Sequence, residues 1–408
     1  MAKSVAANLR ALDEATMTIG ENTNASQGLI SRPSLHLIFM EASDKGLLTQ
    51  RNTRIAEATL SHMTAATLPI ATLDPEMQKL AQDSAAKCVL LDTLLGVSET
   101  RRLAFFSDVD NTLGNFEPGV HSGFEPDHHL SAILARLSDT IDGRFSFVTG
   151  RPDLFLSNAF SNVNGFRASE FGAVVTHWDI DEGAYPLNEP INPDYTELDA
   201  AFARVMAENP TVFEGCFVEE AKVTARTVAL TGKKDAAKQA AAIALLKPVA
   251  EQFVAEYNAQ NPSRFPLVAH VNDAVYNCTL EVTPENLGDK LRCIRTLMVQ
   301  PALRDVLPVA MGDSGPDGPM LDCARERGGI SISVGSKLPS LGYNATANLA
   351  APEDLQLVLE AFVWAKANNF PVDRSDRLNK LRYGTSGLPA NTNARQTRAV
   401  LRPIRAIA

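Results

Sequence analysis

Cysteine is sparse in this sequence and shows no pairing pattern. The five residues, Cys88, Cys216, Cys278, Cys293 and Cys323, are scattered, odd in number and without a Cys-x-x-Cys pair. That argues against a disulfide framework or a thiolate zinc site and points to reduced core residues. Positive charge is not in excess either. A formal charge of −10 argues against a general nucleic-acid binder, whose surface is usually basic. No uninterrupted apolar stretch approaches the ~20 residues needed to span a bilayer. The opening Met-Ala-Lys-Ser-Val-Ala-Ala-Asn lacks the apolar segment of a signal peptide. The expectation is a cytoplasmic protein with no membrane and no nucleic-acid partner. What remains is a globular composition, 45% hydrophobic and 21% charged, in 408 residues, enough for two or three domains.

Along the chain the patterning changes several times. Residues 1–100 read as a helical N-terminal region: Met77, Leu80, Ser84, Cys88, Leu91 and Leu95 fall at helical spacing, all apolar except Ser84. From 101 to 177 the pattern is strand, loop, helix, strand, with strands at Leu103–Ser107 and Phe145–Thr149, helices at Asp127–Ser138 and after Pro152, and a short stretch at Glu170–His177. Strands alternating with helices predict a parallel sheet covered on both faces. Residues 178–285 differ, with β-rich stretches at Phe217–Leu230 and Leu267–Val282 around an Ala-rich helix at Lys234–Ala259. This reads as an inserted α+β module. The α/β pattern resumes over 286–370. The tail at 371–408 holds eight Arg or Lys and two Asp, a net +6 against an acidic body. Such a run is either a solvated tail or a docking segment. A homo-oligomer or a protein partner, through the N-terminal helices or this tail, stays open.

Four strings carry chemistry. The first is Asp108-Val109-Asp110-Asn111-Thr112, which ends the apolar run Ala104-Phe105-Phe106. Like charges at the end of a buried strand are costly unless a cation neutralises them, and Mg2+ suits carboxylate oxygens. The bland alternative is a strand-end turn with solvated carboxylates. The others are Val148-Thr149-Gly150-Arg151, Lys290 near a helix start, and Met311-Gly312-Asp313-Ser314-Gly315-Pro316-Asp317 after another apolar strand. Asp108 and Thr149 both end predicted strands, where α/β sheets bind ligands. The residue types fit phosphoryl transfer. One carboxylate can attack phosphorus, a second can move the proton, and a hydroxyl and an ammonium can hold phosphoryl oxygens. A further acid completes a metal site. His121, His128 and His129 match no familiar helix-based zinc motif and are assigned to the loop after the first string.

In order and spacing these strings resemble the haloacid dehalogenase-like hydrolases, whose first motif is Asp-x-Asp-x-Thr. The resemblance covers roughly residues 101–350. It implies an α/β fold, a Rossmann-like parallel-sheet hydrolase core with an inserted α+β cap. It implies Asp108 as nucleophile and Asp110 as general acid/base with its backbone carbonyl on Mg2+. Thr149 and Lys290 would bind the phosphoryl group, and Asp108, Asp110 and Asp313 the metal. Asp317 and Arg151 would support them. Only 40 positions separate Asp110 from Gly150, whereas 139 separate Arg151 from Lys290. The cap therefore lies between the second and third motifs, as in the sugar-phosphate branch.

Local strings are similar to the trehalose-phosphate, sucrose-phosphate and mannosyl-phosphoglycerate phosphatases of that branch: Glu170-Phe171-Gly172-Ala173, Phe217-Val218-Glu219-Glu220-Ala221-Lys222 and Leu280-Glu281-Val282-Thr283-Pro284. Asn111 replaces the usual Gly, and Pro316 the usual Asn. The resemblance implies a Mg2+-dependent phosphatase acting on a small phosphorylated metabolite, a sugar phosphate above all. A phosphomutase on the same core and a non-enzymatic partner-binding protein are the alternatives. Glu219 and Lys222 are the candidates for sugar contact. With Arg226 they equally suit a solvated face.

Overall fold

A computed structural model describes residues 29–47, 67–69, 73, 75–115, 128–190, 192–219, 222–230, 235–262, 266–274, 277–285 and 289–369. His121 and the basic tail fall outside the described residues. The described elements begin with Leu29–Ser31 (β1), Arg32–Asp44 (α1) and Thr67–Pro69 (β2), with β1 and β2 antiparallel. Ser31 caps α1 by accepting the Ser34 N–H at 3.1 Å, and Pro33 fits the first turn, where no N–H is needed. The apolar stripe from Met77 to Leu95 predicts one helix. The structure divides it into Pro75–Asp83 (α2) and Ala85–Ser98 (α3) at Ser84. At this break Ser84, the exception in the stripe, turns its hydroxyl to the buried Glu41 carboxylate of α1.

The central segment holds Leu103–Ser107 (β3), His128–Thr140 (α4), Phe145–Val148 (β4), Asp153–Ala159 (α5), Gly165–Ser169 (β5), Val174–Asp179 (β6) and Gly183–Pro186 (β7). Then come Thr196–Glu208 (α6), Phe217–Glu219 (β8), Arg226–Ala229 (β9), Ala236–Gln260 (α7), Leu267–Ala274 (β10) and Asn277–Pro284 (β11). The last segment has Lys290–Leu297 (α8), Leu307–Gly312 (β12), Gly318–Glu326 (α9), Ile330–Val334 (β13), Lys337–Ser340 (α10), Ala347–Leu349 (β14) and Pro352–Ala367 (α11).

Eight strands form one mixed sheet in the order β14-β13-β12-β3-β4-β5-β6-β7. The six from β14 to β5 are parallel, and β6 and β7 add an antiparallel edge. The expected parallel sheet is present in those six strands. The link from Ser169 to Val174 is too short for a parallel crossover, so β6 must run back along β5. The sheet thus continues through Pro186, past residue 178, where the sequence pattern set the start of the insertion. Beyond it, β10-β11-β9-β8 form an antiparallel sheet that packs its apolar face on α6 and α7.

Alternation along β3 sends Phe105 to one face of the large sheet and Ala104 and Phe106 to the other. The first face packs on α4, α5, α11 and the N-terminal helices as one apolar cluster, the second on α8 and α9. The described N-terminal helices are therefore part of the core layer. Helix α11 touches α1, α3 and α4, and Lys87 of α3 bonds Glu41 at 2.7 Å and Asp354 of α11 at 2.9 Å. His36 of α1 stacks on Trp364 of α11, centroids 3.7 Å apart, and burial lowers its pKa to about 3. The five cysteines are free, and no described helix is long and apolar enough to cross a membrane. Leu91→Ala, deep in this shared layer, should lower stability by about 2–5 kcal/mol. In urea titrations, tryptophan emission and far-ultraviolet circular dichroism should report one common, lowered midpoint. Two separate transitions would make the arm an independent domain.

Candidate active site

Strands β12, β3 and β4 are neighbours and parallel, with Met311 opposite Ser107 and Ser107 opposite Phe147. Asp313, Asp108 and Thr149 therefore leave the sheet side by side. The chain order also reverses here, running β3 to β5 in one direction and β12 to β14 in the other. That reversal opens a crevice at the carboxyl ends of the strands. Asp108 N–H bonds the Met311 carbonyl at 3.0 Å, which extends the pairing one residue past the strand. Asn111 then takes φ 55°, a left-handed angle that Asn tolerates, and the chain turns. Thr112 Oγ1 comes back to 3.4 Å from Asp108 Oδ2.

Lys290 opens α8 behind an Asp289 cap, and its buried Nζ lies 2.5 Å from Asp108 Oδ1 and 2.5 Å from Asp317 Oδ1. Burial alone would lower this lysine; the two carboxylates outweigh it and raise its pKa. Burial raises Asp108 well above the usual carboxylate range, Asp317 adds to that, and Lys290 opposes it. Asp317 is fully buried, and its Oδ2 accepts Asp313 N–H at 3.0 Å, Ser314 N–H at 2.9 Å and Ser314 Oγ at 3.0 Å. Ser314 and Asp317 so cap each other, and Pro316 sits where the turn needs no N–H. Gly312 has no alternative, since a Cβ there would lie 2.3 Å from Asp317 Cβ.

Carboxylate oxygens of Asp108, Asp313 and Asp317 lie within 4.8 Å of one another. Three buried carboxylates against one buried ammonium leave a negative excess that a hard cation fits. Asp317 is already committed to its donors. Asp313 is less so: its carboxylate bonds Lys337 Nζ at 3.2 Å, a half-exposed residue on the turn after β13, and burial raises its pKa.

Asp110 has the opposite setting. Its carboxylate is partly exposed and gripped by Arg151, with Nε at 3.0 Å from Oδ2 and Nη2 at 2.6 Å from Oδ1. The guanidinium in turn lies over the Phe155 ring. Thr149 is buried, its Oγ1 accepting the Arg151 N–H at 3.1 Å. A Cβ on Gly150 would lie 2.6 Å from the Phe171 ring, so the Thr-Gly-Arg turn requires glycine.

The structure thus gathers Asp108, Asp110, Thr149, Arg151, Lys290, Asp313 and Asp317. Lys222 donates to Thr227 Oγ1 at 3.0 Å within the cap, and Glu219 lies in β8 opposite Thr227. Arg226 donates its Nε to both Asp199 carboxylate oxygens, at 2.9 and 3.0 Å, and lies over the Tyr195 ring. His128 and His129 open α4 instead of lying in a loop, and His129 meets Glu360 of α11 at 3.1 Å. Sequence reading missed Lys337, whose one signal was its place just past a strand end.

No protein-family profile matches this chain, and no curated protein does. Solved structures similar to it include the C-terminal domain of the C. albicans trehalose-6-phosphate phosphatase, at 19% identity over 67% of this chain and 96% of that one, TM-score 0.47. The Aspergillus fumigatus trehalose-6-phosphate phosphatase shares 18% identity over 68% and 97%, TM-score 0.39. A haloacid dehalogenase-like hydrolase from Bacteroides thetaiotaomicron shares 17% over 64% and 98%, TM-score 0.42.

Lys290→Met should expose the cost of the carboxylates it serves, about 3–5 kcal/mol at neutral pH. Asp108, already raised, is raised further without the ammonium. A raised carboxylate favours the folded state while protonated and loses that stability as pH climbs through its folded pKa. The deficit against wild type should therefore shrink as pH falls from 7 toward 4. Calorimetry across that range checks it; a deficit that grows on acidification would contradict the assigned charges.

Proposed function

We propose that this chain is a Mg2+-dependent phosphatase of the haloacid dehalogenase-like kind. It hydrolyses a small phosphorylated metabolite, a sugar phosphate, through an aspartyl-phosphate. One observation carries this reading: two carboxylates of one motif sit in opposite settings, Asp108 buried on Lys290 and Asp110 partly exposed on Arg151. That is the division of labour a nucleophile and a proton carrier need.

Asp108 attacks phosphorus, its oxygen forming the new P–O bond while the bond to the leaving alcohol breaks. Asp110 gives that alkoxide its proton. In the second step Asp110 takes a proton from water, the water oxygen attacks phosphorus, and Asp108 leaves as a carboxylate. Lys290 and the Thr149 hydroxyl hold the phosphoryl oxygens as charge shifts between them. Arg151 keeps Asp110 on the side of the site where the alcohol departs. Asp108, Asp313 and the Asp110 carbonyl are the groups that would hold Mg2+. Bound there, it supplies the positive charge that keeps Asp108 ionised and offsets repulsion from phosphate.

The cap supports a polyol substrate. Its sheet keeps His270, Glu281 and Thr227 in one cross-strand row, with His270 3.3 Å from Glu281 and Lys222 on Thr227. Such alternating donors and acceptors suit sugar hydroxyls. Free thiols fit a cytoplasmic enzyme.

Two measurements test this. Asp108→Asn should reduce Mg2+-dependent phosphate release from p-nitrophenyl phosphate to background while the fold persists; wild-type-like release would end the mechanism. Asp110→Asn should cost on the order of 100-fold on sugar phosphates, whose alcohols leave poorly, and much less on the aryl phosphate. Trehalose 6-phosphate, named for two of the similar structures, heads the panel.

A further inference from the structure

The turn between β5 and β6 holds three consecutive residues at left-handed angles: Glu170 at φ 49°, Phe171 at 55° and Gly172 at 85°. Glycine is at ease there. Glutamate and phenylalanine persist in such angles only where their surroundings dictate it.

The surroundings lie on three sides. On the first, Glu170 N–H bonds the Arg151 carbonyl at 2.9 Å and Phe171 N–H bonds the Thr149 carbonyl at 2.9 Å, with the Phe171 ring closed over Gly150. On the second, Gly172 lies against Cys293 of α8, one turn from Lys290, so that a Cβ would come within 2.5 Å of Sγ. On the third, the buried Glu170 carboxylate leaves the core sheet altogether. It accepts Val223 N–H at 2.7 Å, Thr224 N–H at 2.8 Å and Thr224 Oγ1 at 2.6 Å, all on the cap loop that carries Lys222.

That loop is held from the cap side as well. Tyr195 donates its hydroxyl toward the Thr224 carbonyl at 2.9 Å, and Arg226 Nη1 donates to the Lys222 carbonyl at 2.7 Å. The chain crosses between core and cap after Pro186 and after Pro284. Glu170 adds a third tie that is not covalent.

We infer that Glu170 is a positioning residue that sets the Lys222–Thr224 loop in register with Thr149 and Lys290. Sugar recognition by the cap is thereby aligned with the phosphoryl pocket. A carboxylate is required because three donors converge on two oxygens; an amide would turn its own N–H groups toward them. The inference rests on the phosphatase reading and deepens it.

The test compares wild type, Glu170→Gln and Glu170→Ala in two readouts. Amide exchange at Val223 and Thr224 should speed up about tenfold or more in both variants, while β3 and β12 stay protected. Kinetics should split by substrate. KM should rise about tenfold, the effect of one lost charge-assisted hydrogen bond, for whichever of glucose 6-phosphate and trehalose 6-phosphate wild type hydrolyses faster. kcat/KM on p-nitrophenyl phosphate should stay within about threefold. Unchanged exchange at both amides, or equal losses on both substrates, would overturn the inference. Should Glu170→Ala fail to fold, Thr224→Val removes one of the three bonds and should give a smaller split in the same direction. If wild type hydrolyses no sugar phosphate, the substrate reading fails by itself, and amide exchange alone decides whether the tie exists.

Discussion

The Lys290 ammonium, buried between the carboxylates of Asp108 and Asp317, is the contact on which the rest of the site depends. An ion taken out of water has to recover several kcal/mol from its partners. Here the ammonium and its two partners come from three separate elements, the start of α8, the end of β3 and the turn after β12. The pairing therefore locks the two halves of the core, which the insertion separates in sequence, into one geometry. It also leaves a negative excess that a divalent cation completes, so stability and chemistry draw on the same charges.

Around that centre three glycines mark places where two elements meet too closely for a side chain. Gly312 makes room for Asp317, Gly150 for Phe171, and Gly172 for Cys293. The Glu170 turn joins them, touching the Thr149 strand end, the Lys290 helix and the cap loop in a few residues. Local backbone strain is tolerated because the neighbours over-determine it. The geometry is that of a joint between cap and core.

The N-terminal helices belong to the same physical argument. Helix α11 has apolar residues on several sides, and α1, α3 and α4 cover them. Without that cover, residues such as Leu355, Val358 and Phe362 would face water at a cost of roughly 1.5–3 kcal/mol each. The arm is thus a layer of the core. Its buried Glu41–Lys87 pair, extended to the partly exposed Asp354 of α11, fixes how the helices sit on one another.

Sequence alone determined the order and type of the elements around the site. The apolar runs that end at Asp108, Thr149 and Asp313 place those residues at strand ends, because a strand stops where carboxylate and hydroxyl groups need solvent or a partner. The large gap before Lys290 announced an inserted module. Tertiary structure decided what spacing cannot encode. Only packing shows that Arg151 takes the Asp110 carboxylate, that Asp317 serves Lys290 and the Asp313 backbone, or that Ser84, between α2 and α3, meets Glu41. The same holds for Glu170, whose partners lie 53 and 54 positions away, and for β6, which turns back along β5. Strand periodicity reports which residues are buried; it is silent on which distant donor will meet a buried oxygen, because that depends on how the layers close over one another.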